Sequence, residues 1–280
     1  MFAGRNLLIA SKHQKERVIA PLVMQALGIK KVCISDFDTD KLGTFSGEVS
    51  RIDDPISTVR NKCLKAMGLS DSDLAIANEG SFGPHPSFFF CAANEEFIIF
   101  IDKKNKLEII ERVISTETNF DGKQITSEEE LLAFCEKVQF PSHAVILRPA
   151  VNDYTEIFKG IQDINELKEA YKLLVSNYST VYIETDMRAH KNPSRMKVIE
   201  EATKKLIVKI QSTCPNCSIP GFGITDAKVG LPCQQCHLPT KSTLSYIYAC
   251  LACGHQEEKN IHMQKLGKIQ CIVIFAILNS

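Results

Sequence analysis

The sequence predicts a mixed-sheet α/β domain followed by a small cysteine-rich ribbon. Between residue 7 and about residue 211, short apolar runs alternate with amphipathic stretches of helical period, the pattern of strands and helices layered in one domain. From Cys214 the composition turns to Cys, Pro and Gly, which sets a boundary at about Thr213 and divides the chain into 1–213 and 214–280. At 44% hydrophobic and 24% charged over 280 residues, the first part can bury a core of its own. The second part is too short for that and must take folding energy from bound metal.

Leu7–Ala10 reads as a buried strand and Lys15–Leu27 as a helix ended by Gly28, with a kink at Pro21. Lys31–Ile34 is a second strand, followed by the polar loop Ser35–Glu48. A helix N-capped by Ser57 runs to Met67 and closes on Gly68. The strand Leu74–Ala77 then leads into a loop that starts at Asn78, and Phe88, Phe89 and Phe90 are assigned to the core. Phe97–Ile101 and Leu107–Ile114 form a hairpin, and Glu128–Val138 is a helix whose acidic first turn suits the macrodipole. Ala144–Arg148 and Val181–Glu184 are strands flanking a helix over 164–175, and Pro193 at N1 opens a helix that runs to Gln211.

Lys+Arg and Asp+Glu both total 33, so no global field draws the chain to nucleic acid or an anionic membrane. The longest apolar run, Cys271–Leu278, has eight residues, against about 20 needed to span a bilayer. The first residues also lack the apolar core of a signal peptide. The expectation is a soluble cytoplasmic protein with no membrane partner, and a homodimer is compatible with it.

Six of the eleven cysteines fall in three Cys-x-x-Cys pairs, Cys214/Cys217, Cys233/Cys236 and Cys250/Cys253, separated by fifteen and thirteen residues. Each pair can offer two thiolates to one edge of a tetrahedral zinc ion, so three pairs make one structural site and half of another. The preferred complete set is Cys214, Cys217, Cys233 and Cys236, and the alternative joins Cys214/Cys217 to Cys250/Cys253. The apolar run after Cys271 is unlike a ribbon terminus. Codons permitted for Lys268–Asn279, read two bases on, give Asn-Pro-Met-Tyr-Cys-Asp-Phe-Cys-Asn-Pro and a stop. The expectation is therefore a frameshift after about residue 263, with a fourth pair in the other frame.

Residues of the first domain suit a phosphate. Ser11, Lys12, His13 and Lys15 stand at a strand-to-helix junction, where free backbone N–H groups attract an anion. Lys62 and Lys65 are expected to share a helix face and grip phosphate oxygens. Glu79 and Ser81 fall in a glycine-bearing loop, and Asp38, Asp40, Glu48 and Glu79 offer the hard oxygen ligands that magnesium or manganese requires. Asp186, Arg188, His190 and Arg195 lie just after a strand, where α/β sheets gather ligands. Arg188 and Arg195 offer planar forks to phosphate, and an Asp186–Arg ion pair bracing the turn is the competing reading. His85, between two prolines, is a candidate proton carrier or a surface ring.

The order of these segments resembles the inosine triphosphatase superfamily of nucleotide pyrophosphatases. Ser11, His13 and Lys15 resemble its phosphate motif, Asn61–Ala66 its Asn-x-x-x-Lys-Ala helix, and Asn78–Ser81 its metal loop. Arg188, His190 and Arg195 are comparable to the residues that read its base. Lys12–Glu16, Asp38–Asp40, Gly43–Glu48, Glu79–Pro86, Thr118–Phe120 and Asp186–Met196 more closely resemble hallmarks of a prokaryotic family of domains of unknown function. That family usually ends in Tyr-Cys-x-x-Cys-Asn-Pro. The resemblance to inosine triphosphatases implies an inosine-triphosphatase-like fold and a metal-dependent hydrolase of a nucleotide or other phosphorylated metabolite. On this reading Lys15, Lys62, Lys65, Glu79, His85 and Asp186 form the catalytic group. Two other readings stay open: a zinc-ribbon nucleic-acid-binding protein using the basic segment Arg188–Lys209, or a non-catalytic ligand-binding member of the same fold.

Overall fold

The computed structural model describes residues 1–35, 54–88, 90–233 and 235–261. The chain divides into two compact units, Met1–Ile207 and Val208–Ser280.

Unit 1 carries two sheets. The first has the order β2-β1-β3-β4-β5, formed by β1 (Asn6–Ala10), β2 (Lys31–Ile34), β3 (Leu74–Pro84), β4 (Ala92–Asp102) and β5 (Leu107–Ser115). β1 pairs in parallel with β2 and β3, while β3, β4 and β5 follow as antiparallel neighbours, so the sheet is mixed. The parallel pair is joined through α1 (Glu16–Leu27), which runs through Pro21 without a break and buries Ile19, Val23 and Leu27. Gly28 ends it at φ 66°, a left-handed cap that only glycine adopts without steric cost. α2 (Pro55–Leu69) lays Val59, Cys63, Ala66 and Met67 on Ala75, Ala77, Phe97 and Ile99 of the sheet.

The second sheet has the order β6-β9-β7-β8, antiparallel throughout, from β6 (Gly122–Ile125), β7 (Val145–Arg148), β8 (Phe158–Ile161) and β9 (Val181–Thr185). α3 (Glu128–Lys137) and α4 (Ile164–Asn177) cover one of its faces with Leu131, Phe134, Leu167 and Leu174. Asp163 caps α4 by accepting from the N–H groups of Asn165 and Glu166. α5 (Pro193–Gln211) follows β9. Unit 2 is an antiparallel meander of β10 (Gly223–Val229), β11 (Thr243–Ala249) and β12 (Gln256–Asn260).

Several expectations are corrected. α2 is capped by Asp54, whose carboxylate accepts from Ile56 N and Ser57 N at 2.9 and 3.1 Å, not by Ser57. Pro55 supplies the preset φ of the first helical position. The helix also continues through Gly68 to Leu69. Asn78–Ser81 is no loop but the middle of β3, because the backbone pairs with β4 from Leu74↔Asp102 to Pro84↔Ala92. Phe90 is exposed rather than in the core, Phe88 is half-buried, and Phe89 lies outside the described residues. The short strands β6 and β8 are absent from the sequence reading, since neither has an apolar run long enough to announce it.

Candidate functional site

The carboxyl end of β1 opens on a tight turn in which His13 and Gln14 both take left-handed backbone, φ 67° and 61°. That turn aims Lys15 inward. Its side chain is only 3% exposed, and its Nζ donates to the carbonyl oxygen of Asn78 at 3.2 Å. Burial, and then the charges of Arg195 and Lys62, pull the Lys15 ammonium down to about 7, against the opposing pull of Glu96 and Glu79.

The period of two along β3 sorts its polar residues onto opposite faces. Glu79 lies on the face covered by α2, where Lys62 Nζ donates to its Oε2 at 2.5 Å with both side chains buried. Asn78 and Gly80 lie on the other face with Glu96, which stands opposite Gly80 in the register. Arg195 reaches this face from α5, donating Nε to Glu96 Oε1 at 2.7 Å and Nη1 to the Met187 carbonyl at 2.5 Å. Its guanidinium also sits 5.1 Å from the centre of the Phe82 ring. Three buried acceptors here, Asn78 Oδ1, Asn94 Oδ1 and Glu96 Oε2, have no hydrogen-bond partner among the described residues. Sequence reasoning missed Asn94 and Glu96 as site residues and took Asn78 only as the first residue of an expected metal loop. Asn94 and Glu96, two polar residues at the same phase just before the apolar run Phe97–Ile101 of β4, were the available signal.

A second polar group follows β9. Asp186 is fully buried and accepts from Arg188 through its backbone N–H, Nε and Nη2, at 3.0, 2.9 and 2.5 Å. This is the bracing pair. His190 stacks on His13 with ring centres 5.1 Å apart, which brings the turn after β9 against the turn after β1. Burial, then the charges of His13 and Arg188, hold His190 down at about 4, so its ring is neutral near pH 7. Its buried Nδ1 has no hydrogen-bond partner among the described residues. On β9, burial raises the Glu184 carboxyl to about 7 although Arg148 Nη2 donates to it at 2.9 Å.

The structure thus pairs Lys62 with Glu79 on one face of β3 and Arg195 with Glu96 on the other. It sets Lys15 on the Asn78 carbonyl, where the charges of all four act on it, and joins His13 to His190. Ser11 is buried at the end of β1, Lys12 is exposed on the turn, and Ser81 is half-buried on β3. The expected shared face of Lys62 and Lys65 is not found: Lys62 points at the sheet and Lys65 is exposed, because the contact line on α2 passes between them. Arg195 is too buried to be a surface fork, and its side chain serves Glu96 and Met187. His85 closes the turn after β3, its Nδ1 accepting from Ser87 N and Phe88 N at 3.0 and 3.1 Å. It lies seven residues, about 20 Å of strand, beyond Asn78. Asp38, Asp40 and Glu48 lie outside the described residues, and with Glu79 held by Lys62 the described residues offer no support for magnesium or manganese.

In unit 2, the Sγ atoms of Cys214, Cys217, Cys250 and Cys253 lie within 4.8 Å of one another and can hold a metal ion. Cys214 and Cys253 are 3.7 Å apart and Cys217 and Cys250 3.6 Å. A tetrahedral zinc with Zn–S bonds near 2.3 Å places its sulfurs about 3.8 Å apart, so the thiolates fit a zinc-like ion. The preferred set with Cys233 and Cys236 is corrected: the antiparallel meander puts the first and third pairs at one end of the sheet and the second at the other. The described cysteines are all free of disulfides. Burial pushes the Cys63 thiol up to about 12 and the Cys135 thiol up to about 11, which marks both as packing groups.

A sequence profile described as Domain of unknown function (DUF6671) matches residues 62–270, most of the chain. The chain belongs to that family. The DUF6671 match takes in Lys62, Glu79, Glu96 and Arg195 together with the six paired cysteines, whereas β1 and Lys15 precede it. A comparison with curated proteins finds no match. Among the described residues, no helix is long and apolar enough to cross a membrane.

Proposed function

We propose that unit 1 binds a phosphorylated small molecule of the nucleotide class at the carboxyl end of β1 and hydrolyses a phosphate ester or anhydride bond in it. Lys15 carries this reading. It is a buried amine whose hydrogen bond goes to a carbonyl, and its charge is opposed by Arg195 and Lys62 and favoured by Glu96 and Glu79. Glu79 is matched by Lys62 and Glu96 by Arg195, which leaves the charge of Lys15 for an anion to offset.

The setting supports the same reading. Parallel strands gather ligands at their carboxyl ends, and the amino end of α1 adds its dipole. The neutral ring of His190, stacked on His13, supplies one N–H donor and one ring-nitrogen acceptor for hydrogen bonds to a ligand at that turn. The inosine-triphosphatase-like order of Ser11, His13 and Lys15, then Asn61–Ala66, then Asn78–Ser81, supports hydrolysis as the reaction class. Magnesium or manganese assistance is what that resemblance implies. The described residues give such an ion no seat.

Calorimetric titration with nucleosides, nucleotides and inorganic phosphate tests the binding, and a phosphate-release screen with and without magnesium tests the reaction. Lys15→Met should cost at least tenfold in nucleotide affinity while the protein stays folded. Equal affinity for a nucleoside and its phosphate would sink the proposal.

A further inference from the structure

His143 stands just before β7 and is 4% exposed. Its Nε2 lies 2.9 Å from Ser194 Oγ and accepts from the Ser194 backbone N–H at 3.3 Å. A backbone N–H can only donate, so Nε2 carries the lone pair and the ring proton sits on Nδ1. Nδ1 lies 2.9 Å from Ser142 Oγ, which donates its own hydrogen to the Gln139 carbonyl at 2.6 Å. The direction of each bond is thereby set: the Ser194 hydroxyl donates to Nε2, Nδ1–H to Ser142, and Ser142 to Gln139. Burial holds the His143 ring below the ordinary imidazole range, with the Gln139 carbonyl opposing and the charge of Lys197 adding to the effect, so the ring is neutral near pH 7.

Ser194 occupies the second position of α5, after Pro193, and is half-buried on the wall of a cavity of about 430 Å³. A neutral imidazole 2.9 Å from a hydroxyl, beside a cavity of small-molecule size, is the arrangement of a serine nucleophile with its base. Ser142 holds the other ring nitrogen as the orienting partner. Thr116, Thr118 and Asn119 give the cavity a polar lining, and Lys197 stands in the same wall one turn along α5 from Ser194. Glu117 and Glu201 also line it, so it has no excess positive charge to draw an anion. Lys15, His13 and His190 do not line it, which separates it from the phosphate site proposed at the carboxyl end of β1.

We propose that Ser194 and His143 are the nucleophile and general base of an esterase site for small, uncharged polar carboxylic esters. Ser194 Oγ bonds to the ester carbonyl carbon as His143 Nε2 takes its proton, and Lys197 offers a cation to the oxyanion. When the adduct collapses, the C–O bond to the alcohol breaks, His143 returns the proton to the departing oxygen, and an acyl-Ser194 ester remains. Water then attacks that ester, giving a proton to the same nitrogen, which passes it to Ser194 Oγ as the carboxylic acid leaves. Ser142 is a positioning residue: it holds the tautomer of His143 and does not meet the substrate.

An alkyl fluorophosphonate, which loses fluoride to an activated serine, tests the nucleophile in the full chain, and hydrolysis of 4-nitrophenyl acetate measures turnover. Mass mapping should find one adduct, on Ser194. Ser194→Ala should take no label and lose the hydrolysis. His143→Gln, which keeps an acceptor for the Ser194 N–H, should be labelled at least about 100-fold more slowly. The labelling rate of the parent should rise with pH to a plateau, with a midpoint below about 6.5. Ser142→Ala, lacking the acceptor that favours a charged ring, should move that midpoint lower, and an unmoved midpoint overturns its positioning role. Circular dichroism reports whether each variant is folded; where one is not, the position of the adduct in the parent decides. A folded parent that takes no label, or is labelled elsewhere as fast as Ser194→Ala, overturns the site and leaves the His143–Ser194 contact as a brace for α5.

Discussion

Arg195 and Glu96 are separated by 99 positions in the chain yet meet Nε to Oε1 at 2.7 Å, with both side chains fully buried. The pair lies directly over Gly80. A Cβ built there would stand 2.5 Å from Arg195 Nη2 and 2.8 Å from Glu96 Oε1. Glycine at this strand position is therefore a matter of space, since a side chain and the ion pair cannot share the face.

Gly80→Ala should destabilise unit 1 by about 2–4 kcal/mol in urea unfolding, through overpacking and a displaced buried pair. Gly68→Ala is the control. It lies inside α2 with nothing within 4 Å of its added Cβ, and should stabilise by about 0.5–1 kcal/mol. A destabilisation at Gly80 no larger than a few tenths of a kcal/mol would show that the face has slack.

Glu96→Gln removes the carboxylate and leaves the Arg195 charge buried without its counter-ion, at a cost of about 3–5 kcal/mol. Glu96→Leu/Arg195→Met removes both charges and should recover much of that loss. A double-mutant cycle with no coupling between the two positions would contradict the pairing.

Lys15 titrates at about 7 in the folded chain against an ordinary 10.5. Across that window the unfolded chain holds a proton that the folded chain has released. Stability should therefore rise with pH between about 7 and 10.5, by up to about 1.4 kcal/mol per pH unit, and the slope should diminish in Lys15→Met. Anion binding runs the other way. Sulfate, whose charge is constant over this range, should bind more weakly as pH rises through the Lys15 titration and show a flatter profile in Lys15→Met.

Stripping the metal from the four-cysteine group should unfold the ribbon, whose buried apolar cluster among the described residues is Cys214, Phe222 and Cys250 with Cys217 and Tyr248 against it. Hydrogen exchange after treatment with a strong chelator should show β10, β11 and β12 losing protection while β1, β3 and β4 keep theirs. Unchanged protection in β11 would mean that the ribbon folds without metal.

Much of the local order was legible in the sequence because it depends on neighbours in the chain. Pro193 at a first helical position, Gly28 as a left-handed cap and the acidic first turn of α3 are local signals that the tertiary structure leaves in place. The Cys-x-x-Cys pairs were as plain, since two thiolates held by one tight turn need only that turn. Asn78–Ser81 was misread because its residues favour loops when taken alone, and pairing along the whole of β4 decides otherwise.

The sequence by itself determined which residues could carry charge and metal, together with the succession of strands and helices that holds them. Only the tertiary structure decided which of them meet. Lys62 finds Glu79 across 17 positions, Arg195 finds Glu96 across 99, and Cys214 finds Cys253 across 39. These choices follow from strand register and the direction of a meander. Both are set by hydrogen bonds and apolar burial summed over whole sheets, and no short window of sequence contains that sum.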